Sequence, residues 1–93
     1  MTAKKTSAEV IRLYNEFAIA MPSGAWSRKF AHARMDKAGG SGRINLEYQV
    51  YVPAVQRWEP DRITISTTDA YVEFSRLKNR YRRYVSSLKK KTL

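Results

Sequence analysis

Residues 23–38 read SGAWSRKFAHARMDKA, and the fold turns on whether they form a helix or a strand. Ala, Lys, Arg and Met favour helix, with Gly39 placed to stop one at its C-terminal end. Trp26, Arg28, Phe30 and His32 instead alternate with their neighbours as a strand does. The flanking sequence chooses between the two. Ile44, Leu46, Tyr48, Val50 and Val52 alternate strictly with Asn45, Glu47, Gln49 and Tyr51, the pattern of a strand with one apolar face. Pro53 marks an edge or bulge after it. Glu59-Pro60-Asp61 carries turn chemistry, and Ile63 and Ile65 alternate with Arg62, Thr64 and Ser66 in a further strand. Two strands alone make a marginal hairpin, whereas a third gives a sheet wide enough to hold two helices on one face. Residues 25–37 are therefore read as the first strand.

The outer segments supply the helices. Thr6-x-x-Glu9 is a capping box, and Val10, Leu13, Tyr14, Phe17 and Met21 follow at helical spacing until Pro22, which predicts a helix over 7–20. Ala70, Phe74, Leu77, Tyr81, Tyr84 and Leu88 form one apolar stripe on a second helix, with Val85 at its border. Arg76, Arg80 and Arg83 are expected on the opposite face. Asp69 and Glu73 near the start and Lys89 to Lys91 at the end suit the helix dipole. The expected fold is α+β in the order α-β-β-β-α: a three-stranded antiparallel sheet with two helices packed on one face. It forms a single domain over 1–93, with 1–5 and 89–93 as flexible basic ends.

Length and composition set bounds on function. Ninety-three residues, 43% of them hydrophobic, suit one folded domain with a small core. Zero cysteines remove disulfides and cysteine metal sites. The formal charge is +10, with a sequence pI near 10.2, which points to a polyanionic partner. That charge is uneven: residues 76–93 hold eight basic side chains and no acidic one, while residues 41–75 hold three basic and five acidic. A solvated surface normally mixes both signs, so the C-terminal run reads as a footprint.

Catalysis finds no constellation. His32 is the only histidine, which removes two-histidine acid–base chemistry and HExxH zinc sites within one chain, and it is read as a surface or RNA-facing side chain. No Walker or dinucleotide fingerprint appears. Gly39-x-x-Gly42 matches the KH-domain clamp in letters alone, because that clamp sits between helices and a strand follows here. The glycine run is either a native flexible hairpin or an introduced linker in place of a longer loop. The chain is read as a non-enzyme without cofactors.

Nucleic-acid binding fits better. Guanidinium groups fork onto phosphate oxygens and lysines add point charge, giving affinity without sequence choice. The first candidates are Arg76, Arg80, Arg82 and Arg83, followed by Lys78, Lys89, Lys90 and Lys91. Arg28, Lys29, Arg34 and Lys37 form a second basic segment, and Arg43 sits at the loop end. Tyr51, on the polar face of its strand, could stack on an unpaired base, as could Trp26 or Trp58, although core or edge packing is the commoner role for such rings. RNA is favoured over DNA because no helix resembles a helix-turn-helix reader. The alternatives are a small inhibitor or assembly protein docking its basic face on an acidic protein surface, a DNA-binding accessory protein, or a basic amphipathic helix lying on anionic membrane. No targeting segment or apolar span is visible, so the cytoplasm is expected, with the nucleus as the other choice.

Phe17 followed by Ser23-Gly24 and a strand opening at Ala25-Trp26, then Ile65-Ser66-Thr67 before the last helix, Phe74 within it and Leu88-Lys89-Lys90-Lys91 at its end, carry a family likeness. In these stretches and in element order the chain resembles the small Alu-domain subunits of the signal recognition particle, the larger of that RNA-binding pair. The resemblance spans about half the chain and needs a gap after Thr67 and a shorter loop between the first two strands. It implies a ribonucleoprotein subunit that forms a heterodimer, joining two sheets into one RNA-binding surface. Independently of the family, the small core and the long apolar stripe predict association, as a homodimer or with a related small subunit.

Overall fold

The computed structural model describes residues 6–40 and 42–91, the latter without the side chain of Lys91. Its elements are α1 (Ser7–Ala20), a single 3₁₀ turn (Ser23–Ala25), β1 (Phe30–Lys37), β2 (Arg43–Val52), β3 (Arg57–Ser66) and α2 (Thr67–Lys91). The sheet is antiparallel in the order β1-β2-β3, so the expected α-β-β-β-α arrangement is the observed one. Thr6 caps α1, its hydroxyl accepting from the Glu9 amide at 3.2 Å. Ser66 does the same for α2 through the Asp69 amide at 3.1 Å.

Both helices cover the same face of the sheet. Val10 and Tyr14 from α1, Ala70, Phe74 and Leu77 from α2, and Met35, Ile44 and Leu46 from the sheet form one buried cluster. The helix starts lie together, with the Ser7 and Thr67 hydroxyls 2.6 Å apart. Farther along, Phe17 meets Phe74 and Tyr81 edge to face at 6.2 and 5.4 Å. Gly42, at φ +73°, turns the chain into β2, and its carbonyl accepts from both the amide and the hydroxyl of Thr67. This ties the β1–β2 turn to the root of α2.

Three expectations about boundaries change. The β2–β3 turn is Pro53–Gln56, closed by Val55 N–H to Val52 O and Gln56 N–H to Pro53 O at 3.2 Å each, and not Glu59-Pro60-Asp61. That closure sets Val52 opposite Arg57, so Glu59, Pro60 and Asp61 lie within β3 opposite Val50, Gln49 and Tyr48. Proline is tolerated there because β3 is an edge strand. The first strand opens at Phe30 rather than Ala25-Trp26. Trp26 ends the 3₁₀ turn and is buried, Gly24 lies under the Tyr84 ring, and the Ser27 hydroxyl donates to the Phe30 carbonyl at 3.1 Å. Burial of the α2 stripe also stops short: Tyr81 and Tyr84 are half-buried and Leu88 is exposed. At about 1.5 Å per residue α2 is about 37 Å long against about 21 Å for α1, so its last turns run past the core.

Candidate nucleic-acid interface

Contacts with α2 bring the two basic segments of the sequence together at one end of the molecule. The Arg80 guanidinium lies 5.9 Å from the centroid of Phe30, the first residue of β1, and Tyr84 packs over Gly24 of the 3₁₀ turn. The exposed Arg28 and Lys29, between that turn and β1, therefore share an end with the second half of α2, where Arg82, Arg83, Lys89 and Lys90 are exposed. Arg28, Lys29, Arg82 and Arg83 enter no ion pair among the described residues. Their charge is free to act outward.

The stripe of Arg76, Arg80 and Arg83 differs from its expected placement. Arg80 is half-buried against Phe30 rather than projecting away from the core, because a residue ten positions beyond Ala70 falls at the flank of the apolar stripe. Arg76 is exposed but donates to Glu73 at 2.7 Å. Arg83 alone of the three is exposed and unpaired among the described residues. Lys78 and Arg82 lie on the other flank, with the Lys78 ammonium 5.2 Å from the Phe74 ring centroid. Lys91 is the last helical residue described.

Beneath Arg80 the aromatic set continues inward. Phe30 and Tyr48 stack at 4.7 Å, and the Tyr48 hydroxyl donates to Asp61 at 3.2 Å. Burial, then the Asp61 charge and this hydrogen bond, raise the Tyr48 pKa above its usual value. Tyr14 is also raised, chiefly by burial and further by the Glu73 carboxylate, with the Arg80 charge opposing.

The remaining candidates are dispersed. Lys37 and Arg43 are exposed at the far end of the sheet, seven residues along β1 from Phe30, or about 23 Å at 3.3 Å per residue. There they share a hollow with Asp36, Thr6 and Arg12. Arg34 pairs in register with Glu47 on the face away from the helices, where Arg62 also approaches Glu47 at 3.8 Å, so this face carries both signs. Tyr51 is half-buried near the hairpin tip, its ring 5.6 Å from Trp58 at 65°. It is thus already engaged by a neighbour. Sequence alone does not mark Phe30 and Tyr48 as part of the site. Phe30 alternates with Arg28 and His32 and so carries a strand signal, but nothing in the sequence says that Arg80 will lie over it.

No family model, no curated protein and no solved structure matches this chain.

Proposed function

We propose that the chain is a small nucleic-acid-binding protein, favouring RNA, that acts as a non-catalytic subunit of a ribonucleoprotein. The observation that carries this reading is the convergence of Arg28 and Lys29 with Arg80, Arg82 and Arg83 at one end of the fold, through the Arg80–Phe30 and Tyr84–Gly24 contacts. In the sequence, residues 76–93 hold eight basic side chains and no acidic one. Phosphate is the ligand such a surface suits, and half-buried aromatics beside it give bases something to stack on. The α-β-β-β-α order also supports likeness to the Alu-domain subunits of the signal recognition particle, and with it a cytoplasmic ribonucleoprotein and a small protein partner. No helix among the described residues is long and apolar enough to cross a membrane.

The test is binding to structured RNA and duplex DNA over a salt series, with anionic vesicles as the competing polyanion. If about five phosphates are neutralised, log affinity falls with log salt at a slope of about −3.5 on single strands and about −4.5 on duplex DNA. A flat salt response, or preference for vesicles over both nucleic acids, overturns the reading.

A further inference from the structure

At the edge of β1, beside the end of α1, lies a recess of about 470 Å³ lined by Asn15, Ile19, Met21, Trp26, His32 and Arg34, with Ala18 and Ala33 between them. This volume falls within the range of small-ligand sites, about 300–1,000 Å³. Two of its lining residues, Asn15 and Trp26, are held in place. The Asn15 amide donates to the Met35 carbonyl at 2.8 Å and its oxygen accepts from the Met35 N–H at 2.7 Å, which locks α1 onto the strand edge. Trp26 is held in the core cluster.

His32 gives the recess its character. Pairing of β1 with β2 shifts between Ala31 and Arg34, and within this bulge His32 takes φ +53°, a left-handed conformation uncommon outside glycine. Bulges of this kind re-aim a side chain, and strained backbone of this kind gathers at ligand sites. Here the imidazole is exposed, 6.1 Å from the Trp26 ring centroid at 44°. Arg34 stands at the same recess, exposed and in no ion pair among the described residues. No carboxylate lines it. The exposed His32 ring beside the accessible part of Trp26, an apolar wall from Ile19 and Met21, and a guanidinium that makes no ion pair among the described residues, although Glu47 stands opposite it in register on β2, fit a flat heterocycle bearing a phosphate.

We propose that this recess holds one unpaired nucleotide of a bound strand, its base against Trp26 and His32 and its phosphate at Arg34. The inference rests on the nucleic-acid reading above and adds to it a preference for single-stranded over fully paired segments. A base within a duplex cannot enter without giving up its pairing and stacking, which is costly in free energy.

Trp58→Phe leaves Trp26 as the only indole, so its emission reports the recess. In that background, an adenine-rich single-stranded RNA and a blunt RNA duplex of equal length are titrated at matched salt, following Trp26 emission and, in parallel, anisotropy of the labelled nucleic acid. The expected result is that the single strand quenches Trp26 and the duplex binds without changing it. His32→Asn, which keeps a side chain tolerant of left-handed backbone but removes the ring, and Arg34→Gln then weaken single-strand binding, His32→Asn by roughly 5- to 100-fold, the scale of one lost stacking contact. His32→Asn leaves duplex binding within about twofold, Arg34→Gln costs the duplex less than it costs the single strand, and circular dichroism confirms that both are folded. Binding of both nucleic acids with Trp26 emission unchanged, or equal losses on both in the variants, overturns the recess while leaving the nucleic-acid reading in place. No anisotropy change with either nucleic acid removes that reading as well.

Discussion

Asn15 shows how one polar side chain holds a helix to a sheet. Met35 N–H and C=O face outward from the edge strand, and the Asn15 amide satisfies both at 2.7 and 2.8 Å. Shortening it strands two partly buried backbone groups, so Asn15→Ala should cost about 1–3 kcal/mol, read from the urea midpoint at unchanged m-value. Its position gave no hint of this: at 15 an Asn on the flank of a helix reads as solvated until the strand edge is known to lie beside it. Tyr14 poses the opposite case, a buried phenol whose neutral form is favoured by desolvation and by Glu73. With its folded pKa above the unfolded value near 10, its contribution is fully present below about pH 10 and is lost as pH rises beyond it, because the unfolded chain releases that proton first. Tyr14→Phe cannot ionise and should show a shallower fall in Tm between pH 9.5 and 11.5 than the parent chain. Parallel curves would mean that Tyr14 carries none of the alkaline transition.

Among the elements, what was legible follows from periodicity and what was not follows from contacts between segments. The capped helix at 7–20, the strict alternation of 44–52 and the stripe from Ala70 to Tyr84 depend on neighbours within one element, and each stands where the spacing put it. Glu59-Pro60-Asp61 misled because turn residues are also tolerated in an edge strand, and which strand forms the edge is decided by pairing far along the chain. The bulge at His32 has the same origin, since nothing local requires it. Arg80 and Arg83 separate these two kinds of information. Both are expected on the face opposite the apolar stripe, yet Arg80 falls at its flank and lays its guanidinium over Phe30 while Arg83 faces outward. Arg83→Ala should therefore weaken nucleic-acid binding at unchanged Tm. Arg80→Ala should weaken binding and also lower stability by about 0.5–1 kcal/mol, the size of an exposed cation–π contact, giving a Tm shift of a few degrees in a domain of this length. Equal Tm values for the two variants would place Arg80 out in solvent with its neighbour.

At the scale of the whole molecule the shape is broad and thin, 45 × 40 × 16 Å with a radius of gyration of 14.7 Å, where a compact chain of this length would have roughly 12 Å. One layer of helices on one layer of sheet explains the thinness, and the hairpin beyond Tyr48 together with the last turns of α2 explains the breadth. Apolar surface is left uncovered as a result: Ile63, on the helix side of β3 opposite Leu46, is 44% exposed, and Tyr71 and Val72 at the start of α2 are 44% and 43% exposed. The strand edges are poor places for a second chain to add. Asn15 and the bulge occupy β1, while Arg57, Glu59, Pro60, Asp61 and Arg62 populate β3, the charge and proline that discourage edge pairing. Association should therefore proceed through exposed apolar side chains such as Ile63, on the helix side of β3, rather than by extending the sheet. Sedimentation equilibrium at micromolar concentration is expected to give a mass above 10.8 kDa that rises with concentration, and Ile63→Lys should return it towards 10.8 kDa without loss of the folded signal. Because Ile63 is nearly half exposed, the lysine can reach water in the isolated chain, so the substitution burdens an interface far more than the fold. A mass of 10.8 kDa across the whole range, with a Tm independent of concentration, would mean that the thin core is stable unaided and that Ile63 is ordinary surface.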